Sequence, residues 1–121
     1  MNQNTKTKEY DLEERTFLFA KAARVFIKRL PGTISNIEDL KQLARSSGSV
    51  GANYIEANEA FSKKDFVLRV KISRKEAKES RYWLRLVDIG KDKELEKERL
   101  QLIGESTELM NIFGSIVRKS E

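Results

Sequence analysis

The sequence predicts an all-α fold, an up-down-up-down antiparallel four-helix bundle that assembles into an oligomer. Charged residues make up 36% of the 121 residues, whereas glycine occurs six times and proline once, a balance typical of helical proteins. Apolar residues recur at alternating spacings of three and four along four segments, and the connections between these segments are short. Residues 1–10 are polar and are predicted to form a flexible N-terminal arm, so that the bundle spans residues 11–121.

The first helix is predicted over residues 11–30. It begins at a capping-box spacing of Asp11 and Glu14, and Pro31 follows its end. Six residues share one stripe of this helix: Leu12, Thr16, Phe19, Ala23, Phe26 and Leu30. Because further apolar residues lie off that stripe, the helix needs a second partner surface, which predicts a homo-oligomer.

The second helix is predicted over residues 36–60, after a capping-box spacing of Ser35 and Glu38. Its stripe consists of Ile37, Leu40, Ala44, Ser47, Gly51, Tyr54 and Asn58. A glycine inside a helix costs about 1 kcal/mol relative to alanine, and close approach of another helix at Gly51 would compensate for that cost. The residues assigned to helix packing are Ala44, Ser47, Gly48 and Gly51. A flexible break is the alternative, but no proline or loop-forming cluster supports it.

The third helix is predicted over residues 62–89, with Ser62 and Asp65 forming its N-terminal cap. The middle of its stripe is small, as is the middle of the second helix, so these two helices are expected to pack closely. The small residues concerned are Ser73, Ala77 and Ser80. The fourth helix is predicted over residues 93–118, and Gly90 is suited to ending the third helix.

The chain contains no histidine, which excludes several kinds of chemistry. A Ser-His-Asp triad, a histidine general base and a histidine-supported zinc or di-iron site all require that residue. Glutamates occur in pairs three residues apart, as at Glu56 and Glu59, but ion pairs with lysine and arginine explain them better than a carboxylate metal site. We therefore predict no metal, no cofactor and no enzymatic activity.

The sequence also bears on the cellular compartment. It contains no run of about 18 apolar residues and no apolar N-terminal leader. The expectation is a cytoplasmic protein without a membrane partner. Because cysteine is absent, disulfides give no information about the redox environment.

Positive charge is concentrated in the third helix. The net charge is +5, and residues 61–90 hold nine lysines and arginines against four acidic residues. Without a sequence-reading motif, such a helix would contact phosphates and bind nucleic acid non-specifically. The candidate nucleic-acid-binding residues are Lys71, Arg74, Lys75, Lys78, Arg81 and Arg85. The alternative is a solvated face whose lysines pair with glutamates of the same helix, as Lys75 with Glu79.

Polar and aromatic side chains of the second and third helices are candidates for structural contacts. Asn53, Glu56 and Glu79 are assigned to a structural polar network, and a binding pocket is the alternative. The expected partners across the bundle are Lys21, Arg24 and Arg81. Tyr82 and Trp83 are assigned to a subunit interface in preference to base stacking.

The segment Ser46–Val87 reads SSGSVGANYIEANEAFSKKDFVLRVKISRKEAKESRYWLRLV. It resembles a family of four-helix-bundle proteins encoded in intervening sequences of bacterial 23S ribosomal RNA genes. That family's pattern is a small-rich helix of the form S-I-x-A-N-I-x-E-G, a short polar turn and a third helix that begins with an acidic residue and phenylalanine. The matching residues are Ser49, Val50, Ala52, Asn53, Ile55, Glu56, Asp65, Phe66 and Glu79. The family's glycine is Ala57 here, and the resemblance extends more loosely over residues 11–118.

The resemblance implies a bundle that closes into a ring, often a homopentamer, and no enzymatic activity is attached to the family as a class. The chain is similar to the accessory protein of diversity-generating retroelements, a basic pentamer that works with a reverse transcriptase and nucleic acid. The leading hypothesis is therefore a non-enzymatic, ring-forming bundle that binds RNA or DNA non-specifically or scaffolds a nucleic-acid-processing partner such as a reverse transcriptase. The alternative is a protein–protein assembly module without nucleic-acid affinity.

Overall fold

The computed structural model describes residues 3–121, with side chains from Leu12 onward. Within that part of the chain the secondary structure is entirely helical, which confirms the predicted all-α, four-helix class. The helices are α1 (Gln3–Lys28), α2 (Ile34–Asn58), α3 (Lys63–Leu86) and α4 (Lys93–Ser120). None of these described helices combines the length and the apolar character that a membrane crossing requires.

The start of α1 differs from the prediction. The helix begins at Gln3, so Asp11 lies inside it and does not cap a helix terminus. The segment between these residues contains no glycine or proline, and adding turns to an existing helix costs little compared with starting one. The polar composition that suggested an arm over residues 1–10 is therefore compatible with helix, and residues 1 and 2 of that arm lie outside the described residues.

The N-terminal caps of α2 and α3 follow the same chemistry, but one of them is displaced from its predicted position. Thr33 caps α2, because its extended backbone allows its hydroxyl to accept a hydrogen bond from the Asn36 backbone amide at 3.4 Å. The predicted cap, Ser35, already lies within the helix. Ser62 caps α3 as predicted, accepting from the Asp65 amide at 3.1 Å.

The connection between α3 and α4 is anchored by a buried side chain of α2. Asn36 is 1% exposed, and its amide group donates to the carbonyl oxygens of Pro31 at 3.0 Å and Asp88 at 2.7 Å. Its Oδ1 accepts from the Asp88 backbone amide at 2.8 Å. The α3 helix ends at Leu86, before the predicted residue 89, because the chain leaves it to make these bonds. The turn that follows places Gly90 at a φ of 69°, which favours glycine.

The core is built from one face of each helix. All six residues of the predicted α1 stripe are buried, whereas the buried face of α2 is rotated from its predicted stripe. Leu43, Val50 and Ala57 are buried, while Ile37 and Asn58 at the ends of the predicted stripe are exposed. The reason is that α2 contacts both α1 and α3, so its buried arc points between those two neighbours.

Helices α2 and α3 pack closely as predicted, but through other residues of α2: Gly48 and Gly51 of the predicted packing residues face α1. Serine hydroxyls join α3 to Ser46 and Val50 instead. Ser80 Oγ donates to Ser46 Oγ at 2.9 Å, and Ser73 Oγ donates to the carbonyl oxygen of Val50 at 2.8 Å. Both bonds are buried, so these hydroxyls have hydrogen-bond partners within the protein and do not depend on water. Ser73, the earlier residue of α3, pairs with the later residue of α2, Val50, and Ser80 pairs with the earlier one, Ser46. The two helices therefore run in opposite directions.

Candidate nucleic-acid interface

The six cations proposed from the sequence divide between two sides of α3. Lys71, Lys75, Lys78 and Arg85 are exposed on the side that faces away from the core, and we call these four residues the basic face. Arg74 and Arg81 point toward α4 instead. Arg81 Nη1 donates to Thr107 Oγ1 at 3.3 Å, and a Cβ added at Gly114 would lie 3.7 Å from Arg74 Nε.

Most of the basic face is free of ion pairs within the described residues. Lys71 Nζ lies 3.2 Å from a carboxylate oxygen of Glu121, whereas Lys75, Lys78 and Arg85 have no carboxylate oxygen within 4.0 Å among the side chains from Leu12 onward. An exposed surface pair such as that of Lys71 contributes at most about 1 kcal/mol and exchanges readily for another anion. The basic face therefore presents cations that a phosphate group can reach.

The two glutamates of α3 form their ion pairs with an arginine of α2. Arg45 pairs with Glu79 and with Glu76, whose Oε1 lies 3.2 Å from Arg45 Nη1. The predicted pairing of Lys75 with Glu79 is replaced by these contacts, because the Glu79 carboxylate turns toward α2. The lysines of the basic face therefore form no ion pair with these two glutamates, although the charge of Lys75 still acts on Glu79.

Glu79 is held as a carboxylate by its neighbours. Its partial burial would raise its pKa, but hydrogen bonds from Trp83 and Arg45, together with the charges of Arg45 and Lys75, outweigh that effect and hold the pKa of Glu79 below its usual value. The hydrogen bond to Glu79 in turn raises the pKa of Arg45. Both groups are therefore charged at neutral pH. Arg45 is not among the residues predicted from the sequence, because no local pattern distinguishes it from other surface arginines.

The two aromatic residues of α3 lie next to the basic face. Trp83 is half-buried, and its indole Nε1 donates to Glu79 Oε2 at 2.9 Å. Tyr82 is 56% exposed and packs edge-on against Trp83, with ring centroids 4.9 Å apart and an interplanar angle of 80°. This arrangement fixes the tyrosine ring at the surface of the helix.

The structure does not bring the predicted polar network together. Asn53 Oδ1 accepts from Arg69 at 3.0 Å, Glu56 is exposed, and Glu79 belongs to the separate cluster with Arg45. The partners expected across the bundle lie elsewhere. Lys21 sits over the Phe17 ring, Arg24 donates to carbonyl oxygens of Ala20 and Ala44, and Arg81 contacts Thr107. The helix periodicity placed these residues on the correct helices but not beside one another.

The residues assigned to helix packing lie along the side of α2 that faces α1. The Ala44 carbonyl oxygen accepts from Arg24 at 3.1 Å, and Ser47 is fully buried. A Cβ added at Gly48 would meet Arg24 Nη2 at 3.1 Å, and one added at Gly51 would meet Thr16 Oγ1 at 2.8 Å. A side chain at Gly51 would therefore collide with α1.

Metal chemistry finds no support in the arrangement of carboxylates. Within the residues whose side chains the structure describes, no three acidic residues are grouped so that they could hold a metal ion. Two paired glutamates, Glu105 and Glu108, instead bind Arg15 of α1, with Oε1 of each within 2.8 Å of its guanidinium. The hydrogen bond to Glu105 is the main cause of the raised pKa of Arg15.

These features define a small histidine-free helical protein with a positively charged surface helix. The family model of the 23S rRNA-intervening sequence proteins matches residues 8–113, and the chain belongs to this family. Its fold is similar to the crystal structure of a protein of unknown function from the S23 ribosomal protein family of Bacteroides thetaiotaomicron, with 31% sequence identity and a TM-score of 0.75. That similarity covers 87% of this chain and 96% of the other. No curated protein matches the sequence.

Proposed function

We propose that this protein is a non-enzymatic module that binds RNA or DNA through phosphate contacts along the basic face. The observation that carries the proposal is that the α3 glutamates form their ion pairs with Arg45 of α2, which leaves Lys75, Lys78 and Arg85 without ion pairs among the described residues. Contacts of this kind are independent of base sequence, and one copy binds with a Kd of about 10⁻⁴ to 10⁻⁶ M. A nucleic-acid-processing enzyme such as a reverse transcriptase is the protein partner that this role suits.

We infer further that the unit is an up-down-up-down bundle and that several units form a ring, with five copies as the expected number. The opposite direction of α2 and α3 supports the first part of this inference. Exposed apolar side chains of α1 support the second, since Leu18 and Val25 are 51% and 52% exposed. Leu18 borders a groove between α1 and α4 that the side chains of Ala22 and Leu102 also line. Repetition around a ring would convert weak phosphate contacts into a multivalent site.

Reversing two charges of the basic face tests the nucleic-acid proposal. Lys75→Glu combined with Lys78→Glu is expected to abolish binding of labelled RNA and DNA, measured by fluorescence anisotropy at low salt. For the unaltered protein, each phosphate contact to a single strand should contribute about −0.7 to the slope of log affinity against log salt concentration. The variant should retain the oligomeric state of the unaltered protein.

The matched control is Lys93→Glu combined with Lys97→Glu, which makes the same change in net charge on the exposed side of α4. This control should bind with nearly unchanged affinity. Equal loss of binding in both double variants would indicate only a general charge effect. If the unaltered protein binds neither RNA nor DNA at low salt, the nucleic-acid proposal is wrong, and assembly without nucleic-acid affinity takes its place.

Light scattering at micromolar concentration tests the assembly proposal. The expected mass is about five times the 14.0 kDa of one chain. Leu18→Glu combined with Val25→Glu should reduce the mass, because charged groups cannot be buried in an apolar interface without a large cost. Leu100→Glu is a control on α4, where the leucine is 57% exposed. A mass of one chain for the unaltered protein would overturn the proposal.

A further inference from the structure

Tyr82 occupies an unusual position for an aromatic residue. It lies between Lys78 and Arg85 in the sequence of α3, one helical turn from each, and its side chain is 56% exposed. Lys75 lies two turns before it on the same outward side of the helix. An exposed ring is therefore surrounded by the cations that carry the proposed phosphate contacts.

The ring is held in place from its inner side. Trp83 packs edge-on against Tyr82 at 4.9 Å, the Trp83 indole is tied to Glu79 by a 2.9 Å hydrogen bond, and Glu79 is tied to Arg45 of α2. This chain of contacts restricts the aromatic pair without covering the outer side of Tyr82. A side chain that is ordered before binding loses less conformational entropy when a ligand arrives.

We propose that Tyr82 stacks on an unpaired nucleobase and that the ligand of the basic face is single-stranded nucleic acid. This inference rests on the proposed function, because the cations of the basic face would hold the flanking phosphates. Positively charged surfaces with interleaved aromatic rings bind single strands in this way, and every base offers a ring face, so stacking is tolerant of sequence. A duplex stacks its bases against each other and has no free base face to offer Tyr82.

Removing the ring while keeping the charges tests this inference. Tyr82→Ala is expected to weaken binding of a labelled single-stranded oligonucleotide about 5- to 150-fold, the range that corresponds to the loss of one base–aromatic stack. Tyr82→Phe retains the ring and should bind as the unaltered protein does. Phe61→Ala is the control, because Phe61 is a fully exposed aromatic residue between α2 and α3 that does not belong to the basic face, and its removal should leave the affinity unchanged.

The unaltered protein provides a second readout that does not depend on the folding of any variant. Trp83 is the only tryptophan in the chain, and it contacts Tyr82 directly. A base stacked on Tyr82 should quench the fluorescence of Trp83. A single-stranded abasic oligonucleotide of the same length carries the same phosphates without bases, so it should bind more weakly and cause less quenching. A duplex of that length should also cause less quenching.

The outcomes separate this inference from the proposed function. If single-stranded, abasic and duplex ligands bind equally and Tyr82→Ala has no effect, phosphate binding stands and base stacking is overturned. An equal loss in Phe61→Ala and Tyr82→Ala would also overturn it, because the effect would then not be specific to the basic face. If no nucleic acid binds to the unaltered protein even at low salt, both the inference and the proposed function fail.

Discussion

Gly51→Leu is expected to lower the melting temperature of the protein by about 4 to 12 °C. The substituted Cβ would lie 2.8 Å from Thr16 Oγ1 and 3.1 Å from Thr16 Cβ, and the Thr16 backbone carbon lies 3.6 Å away. Thr16 is 1% exposed and its hydroxyl donates to the Glu13 carbonyl oxygen, so it cannot move aside without disturbing α1. Overpacking of this kind costs about 1–3 kcal/mol, and each kcal/mol shifts the melting temperature by about 4 °C in a domain of this size.

A glycine in an uncrowded helix position provides the matched control. A Cβ added at Gly104 of α4 would meet no atom within 4 Å. Gly104→Ala should therefore raise stability by up to about 1 kcal/mol, because alanine favours the helix more than glycine does. An unchanged melting temperature in Gly51→Leu would contradict a tight contact between α1 and α2.

A double substitution locates the collision at Thr16. Gly51→Ala alone should be destabilising despite the better helix propensity of alanine. Thr16→Ala removes the oxygen at 2.8 Å but leaves the Cβ at 3.1 Å, so the double variant should recover only part of the loss. Thermal or denaturant unfolding of the two single variants and the double variant gives the coupling free energy.

Asn36→Ala is expected to destabilise the protein by about 3 kcal/mol, because it leaves several partner groups without hydrogen bonds. The lost bonds join Asn36 to the carbonyl oxygens of Pro31 and Asp88 and to the Asp88 backbone amide. These bonds connect the loop before α2 to the loop before α4, so both loops lose their anchor together. Denaturant unfolding should show a reduced midpoint.

Asn36→Asp separates hydrogen-bond chemistry from side-chain size. The two side chains have nearly the same shape, but an ionised carboxylate cannot donate to the two carbonyl oxygens, so the loss at pH 7 should be at least as large as in Asn36→Ala. Protonation restores one donor, which raises the folded-state pKa of the new carboxyl group. The deficit relative to the unaltered protein should therefore shrink as the pH falls toward the unfolded-state value of about 3.9.

An exposed asparagine serves as the control for this pair of variants. Asn111 is exposed on α4, and Asn111→Ala should change the free energy of unfolding by no more than about 0.5 kcal/mol. A loss in Asn36→Ala that does not exceed this value would show that the two loops do not depend on Asn36.

The local order of the residues was sufficient to predict the helices, the buried side of α1 and the buried small residues Ser73, Ala77 and Ser80 of α3. The stripe from Leu12 to Leu30 predicted the buried side of α1, and Ser62 predicted the start of α3. Helix period and capping act within a few residues, so both can be read from neighbouring positions. The start of α1 was missed because a polar segment without glycine or proline can extend an existing helix as readily as it can form an arm.

The candidate site was predictable in composition but not in orientation. The sequence identified six candidate cations of α3, and the spacing of 100° per residue fixed their angles relative to one another. It did not fix the position of α4, which Arg74 and Arg81 approach, so that the basic face consists of the other four. A periodic pattern gives angles around one axis and carries no information about which side a neighbouring helix covers.

By itself, the sequence determined the four helices and the concentration of positive charge on the third helix, and it excluded chemistry that requires histidine. Only the tertiary structure decided which charges are neutralised and which aromatic ring is held at the surface. Glu79 pairs with Arg45, which lies 34 positions away in the chain, and Asn36 bonds with Asp88 at a separation of 52. Contacts over such separations depend on how whole helices pack against one another, and local periodicity does not encode that packing.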